Sequence, residues 1–131
     1  MNNILNNITE LILLLFLAIT FLQSGYDKIT DWKGNIEWLK GHFSKTFMAN
    51  MVPLNVAIIL ILETIAGLFA VIGCFTLIID SNTSFGFYAA ILSAITLLLL
   101  LFGQRVAKDY DGARTIVIYL IPTLIALYIL K

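Results

Sequence analysis

The sequence predicts an all-α fold, an integral membrane four-helix bundle with an interfacial amphipathic segment between the first and second spans. Three observations predict it. Hydrophobic residues make up 60% of the chain and charged residues 12%, with a mean hydropathy of +0.97, which is too apolar for a soluble domain of 131 residues. Four apolar runs, about 4–25, 53–79, 85–103 and 113–130, reach or approach bilayer-crossing length within a single domain, 1–131. Between the first two runs, bulky apolar residues recur at helical spacing among lysines.

Taken in order, Met1 to Asn7 is polar and holds four asparagines but no Lys or Arg. A secretory signal needs a basic start and a small-residue cleavage site, so the first span is expected to stay attached. Its apolar centre is Leu11 to Leu22, and it ends in Gln23, Ser24, Gly25, Asp27 and Lys28. In residues 29–52, Trp32, Ile36, Leu39, Phe43 and Phe47 follow one another at intervals of three or four, with Lys33, Glu37, Lys40 and Lys45 between them. That pattern suits a segment lying in the headgroup region, anchored by Trp32, Trp38 and Phe43 and broken at Gly34 and Gly41. His42 is expected to be a solvated interfacial side chain.

The second span, Pro53 to Ile79, carries a carboxylate at Glu63, about 15 Å of helical rise from Pro53. Ala66, Gly67, Ala70, Gly73 and Cys74 share its face, so a neighbouring helix can approach closely and Glu63 is expected to look into protein. Asn82 marks a turn, the third span follows from Phe85 to Gly103, and Gly103 to Arg114 forms a charged connection. The fourth apolar run is short, contains Pro122, and needs Arg114 and Lys131 to snorkel at its ends.

Lys28, Lys33, Lys40, Lys45, Arg105, Lys108 and Arg114 all fall at the first and third connections, which leaves only Lys131 on the other side. The positive-inside rule then places those connections in the cytoplasm, with both termini outside. A formal charge of zero suggests no nucleic-acid partner. One cysteine, Cys74, and one histidine exclude a thiol relay, a CxxC metal site and a bis-histidine haem within this chain. No metal site is expected. Gln23, Ser24, Lys28, Gln104, Arg114 and Tyr119 lie toward the basic ends of their spans, so a polar pocket with Glu63 at its floor is the candidate site. Intramembrane carboxylates are costly and commonly functional, although interhelical bonding alone would also account for one.

FLQSGYDKITDW, Phe21 to Trp32, resembles the end of the first span in DoxX-like membrane proteins, where a Ser-Gly pair precedes a lysine. LETIAGLFAVIG, Leu62 to Gly73, resembles that family's second span, a glutamate followed by glycines at spacing four and ten. Ser24, Gly25, Lys28, Glu63, Gly67 and Gly73 match the pattern, and the four spans agree with it. The resemblance implies a four-helix bacterial membrane protein. Some members are redox-associated, as a small subunit of thiosulfate:quinone oxidoreductase or as membrane partners of soluble oxidoreductases. The family offers no secure catalytic residue to carry over.

Three functions compete. The first is a redox-associated subunit that holds a quinone or another lipid-like ligand near Glu63. The second is a non-catalytic scaffold that docks other membrane or membrane-associated subunits. The third, proton-coupled transport, ranks last, because the small multidrug transporters carry their membrane glutamate in the first span. A redox enzyme acting alone would need a bound cofactor, so a subunit or accessory role is expected.

Overall fold

The computed structural model describes residues 2–131, and Met1 of the polar tail lies outside them. All their regular structure is helical: α1 (Asn2–Asn6), α2 (Ile8–Thr30), α3 (Trp32–His42), α4 (Val52–Asp80), α5 (Ser84–Val106) and α6 (Tyr110–Leu130). A 3₁₀ turn, Ala49–Met51, leads into α4. The helices α2, α4, α5 and α6 are each long and apolar enough to cross a membrane, so this is a multi-pass bundle whose surroundings are lipid.

Sequential spans are antiparallel neighbours: short turns join α4 to α5 and α5 to α6, while α3 lies within the longer connection from α2 to α4. Packing is most extensive between α2 and α4, α4 and α5, and α5 and α6, while α2 closes the ring more lightly against α6. Leu14, Leu17 and Phe21 of α2 are buried against Ala66, Ala70 and Leu77 of α4, with Ala89, Ala90 and Leu97 of α5 and Ala126 and Leu130 of α6 completing the core. Outward-facing Leu15, Leu68, Leu98 and Leu124 remain exposed, as a lipid-facing surface requires.

The small-residue face expected on α4 makes the closest contacts. A methyl group at Gly73 would stand 2.8 Å from the Cα of Gly86, so the backbones of α4 and α5 touch there. One at Gly67 would meet Leu22 at 2.6 Å, and one at Gly25 would meet Thr64 Oγ1 at 3.3 Å. Small side chains substitute for the hydrophobic driving force that lipid cannot supply between helices.

The two ends of the bundle differ. At one end α1 folds over the α4–α5 turn. Asn3 Nδ2 donates to the Ile78 carbonyl at 3.1 Å, Ser81 Oγ donates to Asn3 Oδ1 at 2.9 Å, and Asn7 Nδ2 donates to Ser81 Oγ at 3.1 Å. Ser81 adopts the left-handed conformation (φ 56°) that ends α4, and Asn82 Oδ1 accepts from the Ser84 amide at 2.8 Å as the next helix starts. At the other end lie α3 and the connection from α5 to α6.

Several boundaries depart from the sequence expectation. The first span starts at Ile8 and not at Ile4, because the helix is interrupted by a turn at Asn7, and it runs on to Thr30. Gly34 does not break α3, which passes through it. Its missing Cβ would stand 2.5 Å from Asp31 Oδ2, so the glycine makes room for that carboxylate at the helix start. The fourth helix begins at Tyr110, three residues before the apolar run, because Asp109 Oδ1 accepts from the Gly112 amide at 2.9 Å and caps it. It continues through Pro122 to Leu130.

A buried ion pair beneath an apolar pocket

Glu63 is 2% exposed, and its charge is met by Lys28: Nζ lies 2.9 Å from Oε1. Helix geometry brings the two together from different levels. Side chains tilt toward the N-terminus of their own helix, so Lys28, near the end of α2, reaches down into the bundle. Glu63, on the antiparallel α4, reaches up toward it. Ser24, one turn before Lys28, accepts from Nζ at 2.7 Å. The ammonium is aligned on the serine hydroxyl, and no aligned hydrogen bond reaches Oε1 of Glu63. Lys28 is therefore the carboxylate's electrostatic partner while its directed bond goes elsewhere.

Beside this pair is a cavity of about 130 Å³ between α4 and α5, roofed by α3 and the turn after it. Val52, Val56 and Ile59 of α4 form one wall and Leu99, Leu100 and Gly103 of α5 the other. Leu39 and Phe43 border it toward the basic end of the bundle, where α3 is pinned by Ile36 against Val52 and Val56. Its polar lining is limited to Lys28, Asn55 and Gln104. Glu63 is not part of the lining. The expectation of a carboxylate floor is thus revised: lysine faces the cavity and glutamate stands behind it.

The structure brings together Ser24, Lys28 and Glu63, and places Gln104 on the rim of the same cavity. It does not bring in three others. Gln23 is exposed, because the buried stripe of α2 runs through Leu14, Ala18, Phe21 and Gly25, and Gln23 falls on the opposite side. Arg114 lies in the first turn of α6 with its side chain 73% exposed, bonded to Asp111 at 2.9 Å. Tyr119 is on the outer face, its ring 6.1 Å from that of Phe16 across the α2–α6 seam. The packing residues Gly25, Ala66, Gly67, Ala70 and Gly73 are all buried. Of the aromatic anchors, Trp38 is exposed and Trp32 just so, whereas Phe43 turns inward to the cavity.

His42 is the residue the sequence concealed. It is half-buried, not solvated. Its ring stacks on Trp38 (4.8 Å, 17°) and meets Phe43 edge-on at 5.1 Å. Its Nε2 lies 3.1 Å from Gln104 Oε1 and 3.6 Å from Asp109 Oδ2. This junction ties α3 to the α5–α6 connection, and the partners are too far apart in sequence to leave a local signal.

No curated protein and no solved structure matches the chain. The family model described as DoxX matches residues 10–104, which spans α2 through α5 and includes Ser24, Lys28, Glu63 and the cavity lining. With more than half of its length matched, and with the four membrane helices and paired Lys28 and Glu63 in place, the chain belongs to the DoxX family.

Proposed function

We propose that this chain is an accessory subunit of a membrane redox complex and that the cavity beside Lys28 holds a quinone or another lipid-like molecule. The observation that carries this is an almost wholly apolar cavity with one half-buried, charge-compensated ammonium at its edge. Ligand sites of this kind combine apolar walls with a few fixed polar groups. Lys28 donates to a carbonyl or hydroxyl oxygen of the ligand, and Glu63 supplies its counterion. Asn55 and Gln104 offer further hydrogen bonds from the rim. In this reading the protein sits in a bacterial cytoplasmic membrane, and the distribution of its lysines and arginines supports an orientation with the basic end and α3 at the cytoplasmic surface and both termini outside.

The test is the quinone content of protein purified in mild detergent, together with its partner chains. A methyl group at Gly103 would only touch Phe43 Cζ at 3.6 Å, so Gly103→Ala keeps the cavity open, whereas Gly103→Leu projects into it. Wild type and Gly103→Ala retain stoichiometric quinone, and Gly103→Leu loses it while remaining folded. Partner chains recovered with every variant, and no quinone with any, would remove the ligand and leave a scaffold.

A further inference from the structure

A second concavity, of about 380 Å³, lies at the basic end between the turn after α3 and the end of α5. It is separated from the apolar cavity by the His42–Gln104 bond. Its lining is half polar and includes Lys45, Lys108, Ser44 and the edge of His42. Among the described residues neither lysine is paired with a carboxylate. The nearby acid, Asp109, is directed at His42 (3.6 Å) and at the Gly112 amide. Lys108 occupies the left-handed region at φ 61°, a costly conformation for a residue with a side chain. Two lysines on separate segments, neither paired with a carboxylate among the described residues, therefore line one polar cleft.

We propose that this cleft binds the phosphodiester headgroup of an anionic phospholipid, with Lys45 and Lys108 as the charged contacts and Ser44 as a hydroxyl donor. Its surroundings favour a lipid over free phosphate. The cleft adjoins the ends of membrane-spanning helices, and two aromatic side chains flank it: Phe47, 70% exposed next to Thr46, and Trp38, 64% exposed and stacked on His42. Aromatic rings beside lysines are the arrangement that sits at the headgroup level of a bilayer. The site is independent of the apolar cavity and of any ligand held there.

Native mass spectrometry of the detergent-solubilised chain tests this with phosphatidylglycerol, phosphatidylcholine and inorganic phosphate. Wild type retains one phosphatidylglycerol in preference to phosphatidylcholine, and millimolar phosphate does not displace it. The double variant Lys45→Gln, Lys108→Gln retains it about thirtyfold less, equivalent to about 1 kcal/mol for each lysine. A charge-matched control, Lys33→Gln with Lys40→Gln, retains it as wild type does. Equal retention of both lipids, or an equal loss in the control, overturns the site, and displacement by phosphate overturns the lipid. A phosphatidylglycerol with a photoreactive headgroup supplies a readout without mutation. Its adducts fall within residues 41–48 and 105–109 of wild type, and adducts confined elsewhere overturn the proposal.

Discussion

The two ends of this bundle solve the same packing problem in opposite ways. At the α1 end the backbones of Gly73 and Gly86 touch, Leu14 packs between the helices, and asparagine side chains tie the amino-terminal segment over the α4–α5 turn. At the basic end, α4 and α5 leave a cavity between them, closed by an amphipathic helix and not by the spans themselves. The contrast follows from side-chain size. A glycine opposite a glycine brings two helices into contact, whereas Gly103 faces the ring of Phe43, delivered from outside the spans. A closed end gives rigidity, and an end completed by a separate element leaves room beneath it for a ligand. Among the described residues, the charged pair that reaches into the spans, half-buried Lys28 with buried Glu63, lies on the side that opens.

The largest expected effect comes from unbalancing that pair. Glu63→Gln leaves Lys28 without a counterion, and Lys28→Met leaves Glu63 without one. Removing one member of a buried pair typically costs about 3–5 kcal/mol, because the remaining charge is stranded. Removing both exchanges two expensive charges for packed side chains and is often neutral. Each single variant should therefore unfold at markedly lower temperature in detergent, and Lys28→Met combined with Glu63→Gln should recover most of the loss. Strictly additive losses would show that the two side chains stabilise the bundle separately.

A smaller effect separates the two ends directly. Gly73→Ala places a methyl group 2.8 Å from the Gly86 backbone, which cannot move aside as a flexible side chain would. Overpacking of that kind costs about 1–3 kcal/mol. Gly103→Ala meets nothing closer than 3.6 Å and gains about 0.5–1 kcal/mol of helix preference. The same substitution should thus destabilise at one end and be neutral or slightly stabilising at the other, as measured by thermal unfolding of the two variants. Matching losses would mean that the basic end is as tightly packed as the other.

Much of this contrast was legible in the sequence. Long apolar runs specify spans, because a helix is the simplest way to satisfy backbone polar groups in lipid. Glu63 stood out because a carboxylate in such a run is rare, and the small residues following it showed its direction. Lys28 was legible too, but not which of the two would line the cavity. That depends on how far a flexible lysine extends along a neighbouring helix. Gln23, Arg114 and Tyr119 looked equally suitable because they lie at the correct depth. Depth alone does not give the rotation of each helix about its axis, and each of them faces outward. His42 gave no signal at all, since Gln104 and Asp109 approach it only once α3 is docked.

The smallest expected effect tests whether the α1 end is held by its asparagines or by its core. Asn3 bonds the Ile78 carbonyl and Ser81, but these contacts are exposed to solvent at the chain end. An exposed hydrogen bond exchanges with water and contributes only about 0.5–1.5 kcal/mol. The glycine contact and Leu14 beneath it do not depend on α1. Asn3→Ala should therefore leave global unfolding within about 1 kcal/mol of wild type, while hydrogen exchange quickens at the amides of α1 and of residues 80–84. The amides of α4 on either side of Glu63 should keep their protection. If exchange quickened there as well, the asparagine contacts would be holding the whole bundle and not merely its cover, and the two ends would be mechanically coupled.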